Sequence, residues 1–427
     1  MVDRAISRSS GVDAEKNRPN VSRRTILKTT SVGIVGIPLA GCSSSGDGGG
    51  TIKIGGMTAL SGPYGGLGKN IKSCMELAVQ DANKNDEVGG MTAEIEVKDT
   101  QTDPSTGQKR AQEYMEQGDI DFLAGSISNS TALAVQEIAE RNEMAYVNLG
   151  GGLTTTGEEC SKYGFVCAGS PVQQSDAGVG YVLEEGLGTS VYAVSYDYSW
   201  GQSHKQYQEE KLVPDNGGEF VGNQFIPLSM EDFSQPLTKA QNTGADIIAS
   251  NTAGGGAVQF LKQAAEFDLL EDQIIAFPNL GLVEGTQIGE SILQSENIYA
   301  GSTWYYTTEV EEGKKFADRF QEQNDTPPYG LGASMYCGVR TALNAIGEIG
   351  TAEGIELANA LEDREFVPQI WGSGERFRAC DHAATIAQMT VTGRKDQWEE
   401  NDPWQIANTP ENPEEKMRTC AETDCEL

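Results

Sequence analysis

Two runs of alternating strand-like and helix-like segments, separated by a break at Ser170-Pro171, constrain this chain more than any other feature. In the first run, 51–58 (TIKIGGMT) reads as a strand. The segment 70–83 (NIKSCMELAVQDAN) reads as an amphipathic helix, with Ile71, Met75, Ala78 and Ala82 sharing one face. Strand signals follow at 94–99, 120–124 and 144–147, with helix signals at 105–117 and 130–142. The second run places strands at 191–194, 246–249 and 274–277, and helices at 202–212, 234–242 and 257–267. Strands alternating with helices of this length predict mostly parallel sheets covered on both faces. The repetition predicts an α/β fold of two doubly wound lobes. A crossing strand at 298–303, helices at 312–322, 334–349 and 352–361, and a hairpin near 375–392 complete the pattern. Residues 401–427, rich in Pro, Glu and Asn, read as an irregular acidic tail.

The segment before this alternation does not read as part of the fold. Arg23 and Arg24 precede an uncharged stretch from Thr29 to Gly41, which ends in Leu39-Ala40-Gly41-Cys42. A basic region, a short apolar region and small residues before a cleavage point describe a secretory signal over 1–41. The arginine pair points to the twin-arginine route, with Ile26 where Phe is usual. Leu-Ala-Gly-Cys resembles a lipobox, which makes Cys42 the expected lipid attachment. The apolar stretch is too short to cross ~30 Å of hydrocarbon. Residues 42–50 (CSSSGDGGG) then read as a flexible linker. What remains exceeds the ~250–300 residues at which one core usually splits, again favouring two lobes.

The 427-residue chain carries 63 acidic against 31 basic residues, a formal net charge of −32. Such a surface repels nucleic acid. The acids are spread along the whole chain and the hydrophobic content is 38%, which argues against acidic disorder. The expectation is a surface adapted to very high salt, where a Debye length of ~3 Å at 1 M screens self-repulsion. The host suggested is a halophilic archaeon.

Of eight cysteines, Cys42 is reserved for lipid, leaving an odd number. Cys160 and Cys167 enclose a short polar loop and are the favoured disulfide. Cys420–Cys425 is a weaker second pair, with Cys380 able to reach one of them instead. These spacings lack nearby histidines, and the chain has only His204 and His382. No metal site and no cofactor is expected.

In open α/β sheets, ligands bind outside the carboxyl ends of strands. The turns found there are polar and glycine-rich. Strand 120–124 leads to Gly125-Ser126-Ile127-Ser128-Asn129-Ser130, where free backbone N–H groups and hydroxyls suit a carboxylate or amide. Strand 144–147 leads to Asn148-Leu149-Gly150-Gly151-Gly152. In the second lobe, Ser195-Tyr196-Asp197-Tyr198-Ser199-Trp200 brings an aromatic cluster, Ser250-Asn251-Thr252-Ala253 a polar turn, and Pro278-Asn279 a third. No G-x-S-x-G, no P-loop and no H-E-x-x-H occurs, and Gly65–Asn70 lacks the Ser or Thr that a P-loop requires. His204 reads as a solvated helix residue and His382 as part of the late hairpin.

Ile54-Gly55-Gly56-Met57-Thr58-Ala59-Leu60-Ser61-Gly62-Pro63 resembles the first strand and loop of the leucine/isoleucine/valine-binding family. These are type I periplasmic solute-binding proteins of ABC importers. The likeness extends through 125–131, 148–152, 196–201 and 303–306, covering most of 51–395. It implies two α/β lobes joined by three hinge crossings, with lobe I at 51–171 and 304–370 and lobe II at 172–303 and 371–400. It further implies that Ser128, Asn129 and Ser130 face a ligand carboxylate or amide, and that Gly150 and Gly151 add backbone contacts. Tyr64 or Leu67 would line the first wall, Trp200 the second, and Thr252 with Ala253 would stand where the family often has an aromatic. Asn279 occupies the position of a carboxylate that receives ammonium groups in amino-acid binders; the next acid is Glu284. The implied function is capture of a small polar solute, such as a branched-chain amino acid, amide, urea or organic acid, by a monomer that hands it to permease and ATPase subunits. Catalysis is not expected. The alternatives are a ligand-sensing subunit of a surface receptor and, less favoured for want of catalytic groups, a surface hydrolase.

Overall fold

The computed structural model describes residues 49–372, 374–394 and 402–427. The expected signal, Cys42 and most of the expected linker lie outside the described residues. The chain divides into Met1–Asp47 and the unit Gly48–Leu427, and only the second concerns the fold below.

Two sheets with the same winding form this unit. The first holds β1 (Thr51–Thr58), β2 (Thr92–Asp99), β3 (Phe122–Gly125), β4 (Tyr146–Asn148) and β5 (Gly164–Val166) in the order β2-β1-β3-β4-β5, all parallel. The second contains β6 (Ser190–Tyr196), β7 (Glu219–Ile226), β8 (Ile247–Asn251), β9 (Ile274–Phe277) and β10 (Ile298–Ser302), in the equivalent parallel order β7-β6-β8-β9-β10. In both sheets the strand order reverses beside the first strand, at β1/β3 and at β6/β8. Such switch points open a crevice at the carboxyl ends of the strands.

The strands form because short runs of β-branched and aromatic residues are buried on both faces. Phe122–Gly125, Ile247–Asn251 and Ile274–Phe277 are buried throughout. The helices are one-sided. Gly65–Lys84 buries Ile71, Cys74, Met75, Ala78 and Ala82, and packs on the apolar Gly330–Ile349 helix. An ion pair between Arg319 and Asp81 (3.0 Å) ties the Glu311–Asn324 helix to the same face.

Up to β11 (Met389–Gly393), the described chain passes between the sheets at three places. β5 leads into the Pro171–Ser175 helix beside β10, β10 leads back to the Glu311–Asn324 helix, and the segment before β11 returns to the second sheet. β11 pairs antiparallel with β10, and β12 (Trp404–Asn408) pairs antiparallel with β11 as the outer strand.

Here the structure departs from the sequence reading. The tail is not wholly irregular, because Trp404 buries its ring and donates to Gly281 O at 2.8 Å, which anchors β12. Nor do residues 375–392 form one hairpin. Phe377 and Ala384 form a bridge, Ala383 bridges Val166 of β5 and so places this stretch on the first lobe rather than on the second as the likeness implied, and β11 pairs with β12 instead. The disulfides also differ. Cys160 bonds Cys425 and Cys380 bonds Cys420, while Cys167 is a buried free thiol facing Asn148 O. Cys167 follows β5 into the core, so it points away from the surface loop that carries Cys160. His382 is buried and stacks on Phe165 at 4.0 Å.

Candidate functional site

Loops at the carboxyl ends of both sheets converge on one cavity. The first sheet supplies Tyr64 after β1, Ile127 after β3, Leu149 and Gly151 after β4, and Ala168 after β5. The second supplies Tyr198 and Trp200 after β6, Ala253 after β8 and Asn279 after β9. Leu67, Gln174, Tyr329 and Leu331 complete the wall. Among the described residues, the wall holds four aromatic rings and no charged side chain, and its side-chain amides are Gln174 and Asn279.

The lobes touch across this cavity. Tyr64 and Tyr198 share a hydroxyl hydrogen bond of 2.7 Å, Ser130 Oγ lies 3.3 Å from Ser199 Oγ, and Leu153 N donates to Ser203 Oγ at 3.3 Å. Gly254 adopts φ +58°, and a Cβ there would sit 2.9 Å from Tyr64 Cδ1, so glycine permits this approach. These contacts hold the two lobes together in a closed arrangement.

Backbone dipoles set the electrostatics. The helices Asn129–Arg141, Ser199–Tyr207 and Gly330–Ile349 begin at the cavity, and none has a side-chain hydrogen bond capping its first turn. The start of the first is buried at Ser128 and Asn129, and Asn129 Nδ2 is buried without a hydrogen-bond partner among the described residues. Buried, uncapped N–H groups favour an acceptor or an anion. The Gly254–Glu266 helix begins beside a buried carboxyl. Glu284 accepts from Gly281 N at 3.1 Å, and burial pushes its carboxyl up to about 7 while the N–H groups of Gly281 and Gly254 pull it down.

A buried polar chain backs the second wall. Trp200 Nε1, which can only donate, lies 3.2 Å from Gln174 Oε1. That fixes the amide orientation, with Gln174 Nε2 donating to Gly169 O at 2.8 Å. His204 Nε2 lies 3.2 Å from the same Oε1 and therefore donates, while its Nδ1 accepts from Ser175 Oγ at 2.7 Å. Burial lowers the His204 pKa to about 3, so the ring is neutral. His204 is thus fully buried rather than the solvated helix residue its sequence context suggests, because the Ser199–Tyr207 helix turns this face inward.

Of the residues singled out from sequence, Tyr64, Leu67, Gly151, Trp200 and Asn279 line the cavity. Ser128, Asn129 and Ser130 stand at the helix start next to Ile127. Gly150 instead faces the Asn129–Arg141 helix, where a Cβ would fall 2.2 Å from Ala132 Cβ. Asn251 faces away too, paired with Gln208 (2.9 Å) and Ser195 (3.0 Å), and Thr252 bonds Ser250 at 2.9 Å. Gln174 and Tyr329 were not singled out. Their signals were present: Gln174 follows the crossing at Ser170-Pro171, and Tyr329 follows two prolines immediately before a long helix.

A family description of periplasmic binding proteins matches residues 51–397. A Leu/Ile/Val-binding protein homolog of Brucella abortus is 23% identical over 342 residues, covering 76% of this chain and 85% of that protein. A periplasmic binding protein of Burkholderia mallei superposes with a TM-score of 0.81 at 25% identity, covering 88% of this chain and 99% of its own. A solute-binding protein of an ABC transporter from Rhodopseudomonas palustris, solved with 4-hydroxybenzoate, has a TM-score of 0.74 at 21% identity and covers 85% and 98%.

Proposed function

The chain belongs to the periplasmic binding protein family, and we propose that it is the solute-binding subunit of an ABC importer, taking a small carboxylic acid or amide with an apolar body. The observation that carries this reading is the pairing of a ring-lined, uncharged wall with buried helix starts that lack caps. The acceptor end of the solute would meet the Asn129–Arg141 start and Asn129 Nδ2, and its body would lie between Tyr64, Trp200 and Tyr329. No bond of the solute is broken. Binding stabilises the closed lobes through contacts made to both, and so shifts the open–closed balance.

Asn279 rather than an acid stands on the cavity wall. This favours solutes without an ammonium group, such as aromatic or aliphatic acids, over free amino acids. The 4-hydroxybenzoate complex of the Rhodopseudomonas palustris protein is an example of such an acid, whereas the Brucella abortus relative is named for amino acids. Export by the twin-arginine route and lipid anchoring at Cys42 belong to the same proposal. The paired arginines and the Leu-Ala-Gly-Cys sequence support them, and the acidic surplus supports a high-salt setting. A tether would keep a monomeric trap beside its permease at high local concentration.

The test is a thermal-shift screen in molar salt with leucine, valine, benzoate, 4-hydroxybenzoate, acetamide and urea. A ligand at a hundred times its Kd adds about 2.7 kcal/mol of stability. A carboxylate or amide should raise Tm, and Trp200→Ala should abolish the rise. Trp200→Phe, which keeps a ring but loses the donor to Gln174, should retain part of it. If no probe raises Tm, or if the protein turns over an amide or ester, the reading fails.

A further inference from the structure

The C-terminal segment after β12 makes contacts that a passive tail has no reason to make. It leaves the outer edge of the second sheet at Asn408 and runs back across the hinge to the first sheet. On the way, Pro413 O accepts from Gln173 at 3.4 Å and Glu414 pairs with Arg376 at 2.9 Å. Lys416 pairs with Glu184 at 2.8 Å, and Glu422 with Lys211 at 2.9 Å. Glu184 and Lys211 belong to helical segments whose neighbours Val182, Leu183, Leu212 and Val213 pack on β6 and β8 of the second sheet. On the other side, Arg418 donates to Leu153 O at 2.7 Å, in the loop between β4 and β5 of the first sheet. The segment ends in two covalent bonds on that same side. Cys425 joins Cys160 of that loop, and Cys420 joins Cys380, which is close to the bridge between Ala383 and Val166 of β5.

We propose that residues 409–427 are a disulfide-fastened strap, a fourth connection between the lobes that biases the cleft toward its closed arrangement. Three backbone crossings permit rotation about a hinge. The strap adds docking points on both sides of that hinge: β12, Glu184 and Lys211 on the second lobe, and Leu153, Cys160 and Cys380 on the first. Rotation that parts Tyr64 from Tyr198 changes the distances between these two sets, so both cannot stay docked. The disulfides do not yield, and so the contacts that break are the ion pairs. The side chains of Lys416, Glu184, Lys211 and Glu422 are each about half exposed, so the pairs are weak and open to salt. Hydrogen bonds from Lys211 and Thr419 hold the Glu422 carboxyl down to about 2. The bias is therefore modest, tuned by ionic strength and dependent on the oxidised cysteines. It does not depend on which solute is bound, nor on the wall chemistry proposed above.

The experiment is hydrogen exchange on the ligand-free, purified protein, read at cleft segments 128–132 and 198–203 and at core strands β1 and β8. Peptide mapping first establishes the Cys160–Cys425 and Cys380–Cys420 bonds. Cys420→Ser with Cys425→Ser should speed exchange at the cleft segments by about fivefold or less, the range that one or two exposed ion pairs carry, and leave the strands unchanged. Glu184→Gln with Lys211→Gln, disulfides intact, should give about a twofold increase in low salt and none in molar salt. Equal cleft exchange in the wild-type and double-serine proteins overturns the proposal. Should the serine variant lose core protection, the Glu184→Gln/Lys211→Gln variant decides, and unchanged cleft exchange there in low salt overturns it.

Discussion

The hydroxyl of Tyr64 on the first lobe lies 2.7 Å from the hydroxyl of Tyr198 on the second. Burial holds the Tyr64 phenol well above its ordinary pKa, with the neighbouring Tyr198 adding to the shift, so it stays protonated and able to donate. Both rings line the cavity, and the bond exists only while the lobes meet. It is therefore a contact of the closed state alone, and its free energy enters binding directly.

Tyr64→Phe removes that bond and leaves the Tyr198 hydroxyl buried without it. A net cost of about 1 kcal/mol in the closed state corresponds to about fivefold weaker solute affinity. Overall stability should change little, because the open form hydrates Tyr198. The double variant Tyr64→Phe/Tyr198→Phe should recover part of the loss, since it leaves no unpaired hydroxyl. Calorimetric titration of the wild type, Tyr64→Phe, Tyr198→Phe and the double variant checks this. Additive losses would show that the two hydroxyls do not couple.

His204 gives stability a pH slope of known sign. Its folded pKa is about 3 against an ordinary 6.5, so between these values the unfolded chain binds a proton that the folded chain does not. Stability from this group is present above 6.5 and is lost as pH falls toward about 3. His204→Gln should be less stable than the wild type at pH near about 7, with the gap narrowing on acidification through this window. Urea midpoints across the window measure it, and a constant gap would mean that the ring is not neutral in the fold.

Glu284 works in the opposite direction. Burial raises its carboxyl from 4.5 to about 7, so in that window the folded chain holds a proton that the unfolded chain releases. Stability from this group is highest below 4.5 and declines as pH rises to about 7. Glu284→Gln should therefore gain on the wild type across this window, and hold that gain above it. The same urea series reads the outcome. A variant that loses ground as pH rises would mean that the Gly281 and Gly254 N–H groups outweigh the cost of burial.

Much of the fold was legible along the chain. The runs at 120–124 and 246–249 overlap the fully buried strands Phe122–Gly125 and Ile247–Asn251, and the face of Ile71, Met75, Ala78 and Ala82 is the buried side of a helix. The turns at strand ends were legible too, which is why Tyr64, Trp200 and Asn279 were found at the cavity. Side-chain direction within a turn was not. Gly151 lines the cavity while adjacent Gly150 packs against Ala132, and no local pattern separates them. Gln174 was missed because its importance comes from Trp200 and His204, which reach it from another helix.

The sequence by itself determined the alternation of strands and helices, the repetition that makes two equivalent sheets, and the place of the binding turns. These follow from periodicity and local backbone preference, which act within a few residues. Only the tertiary structure decided which cysteines pair, that His204 is buried and neutral, and that residues beyond Asn401 add a strand and return to the first lobe. Cys160 and Cys425 are 265 residues apart, and spacing along a chain carries no information about which distant thiols meet. Packing of the two sheets brings those ends together, and the same packing sets Tyr64 against Tyr198.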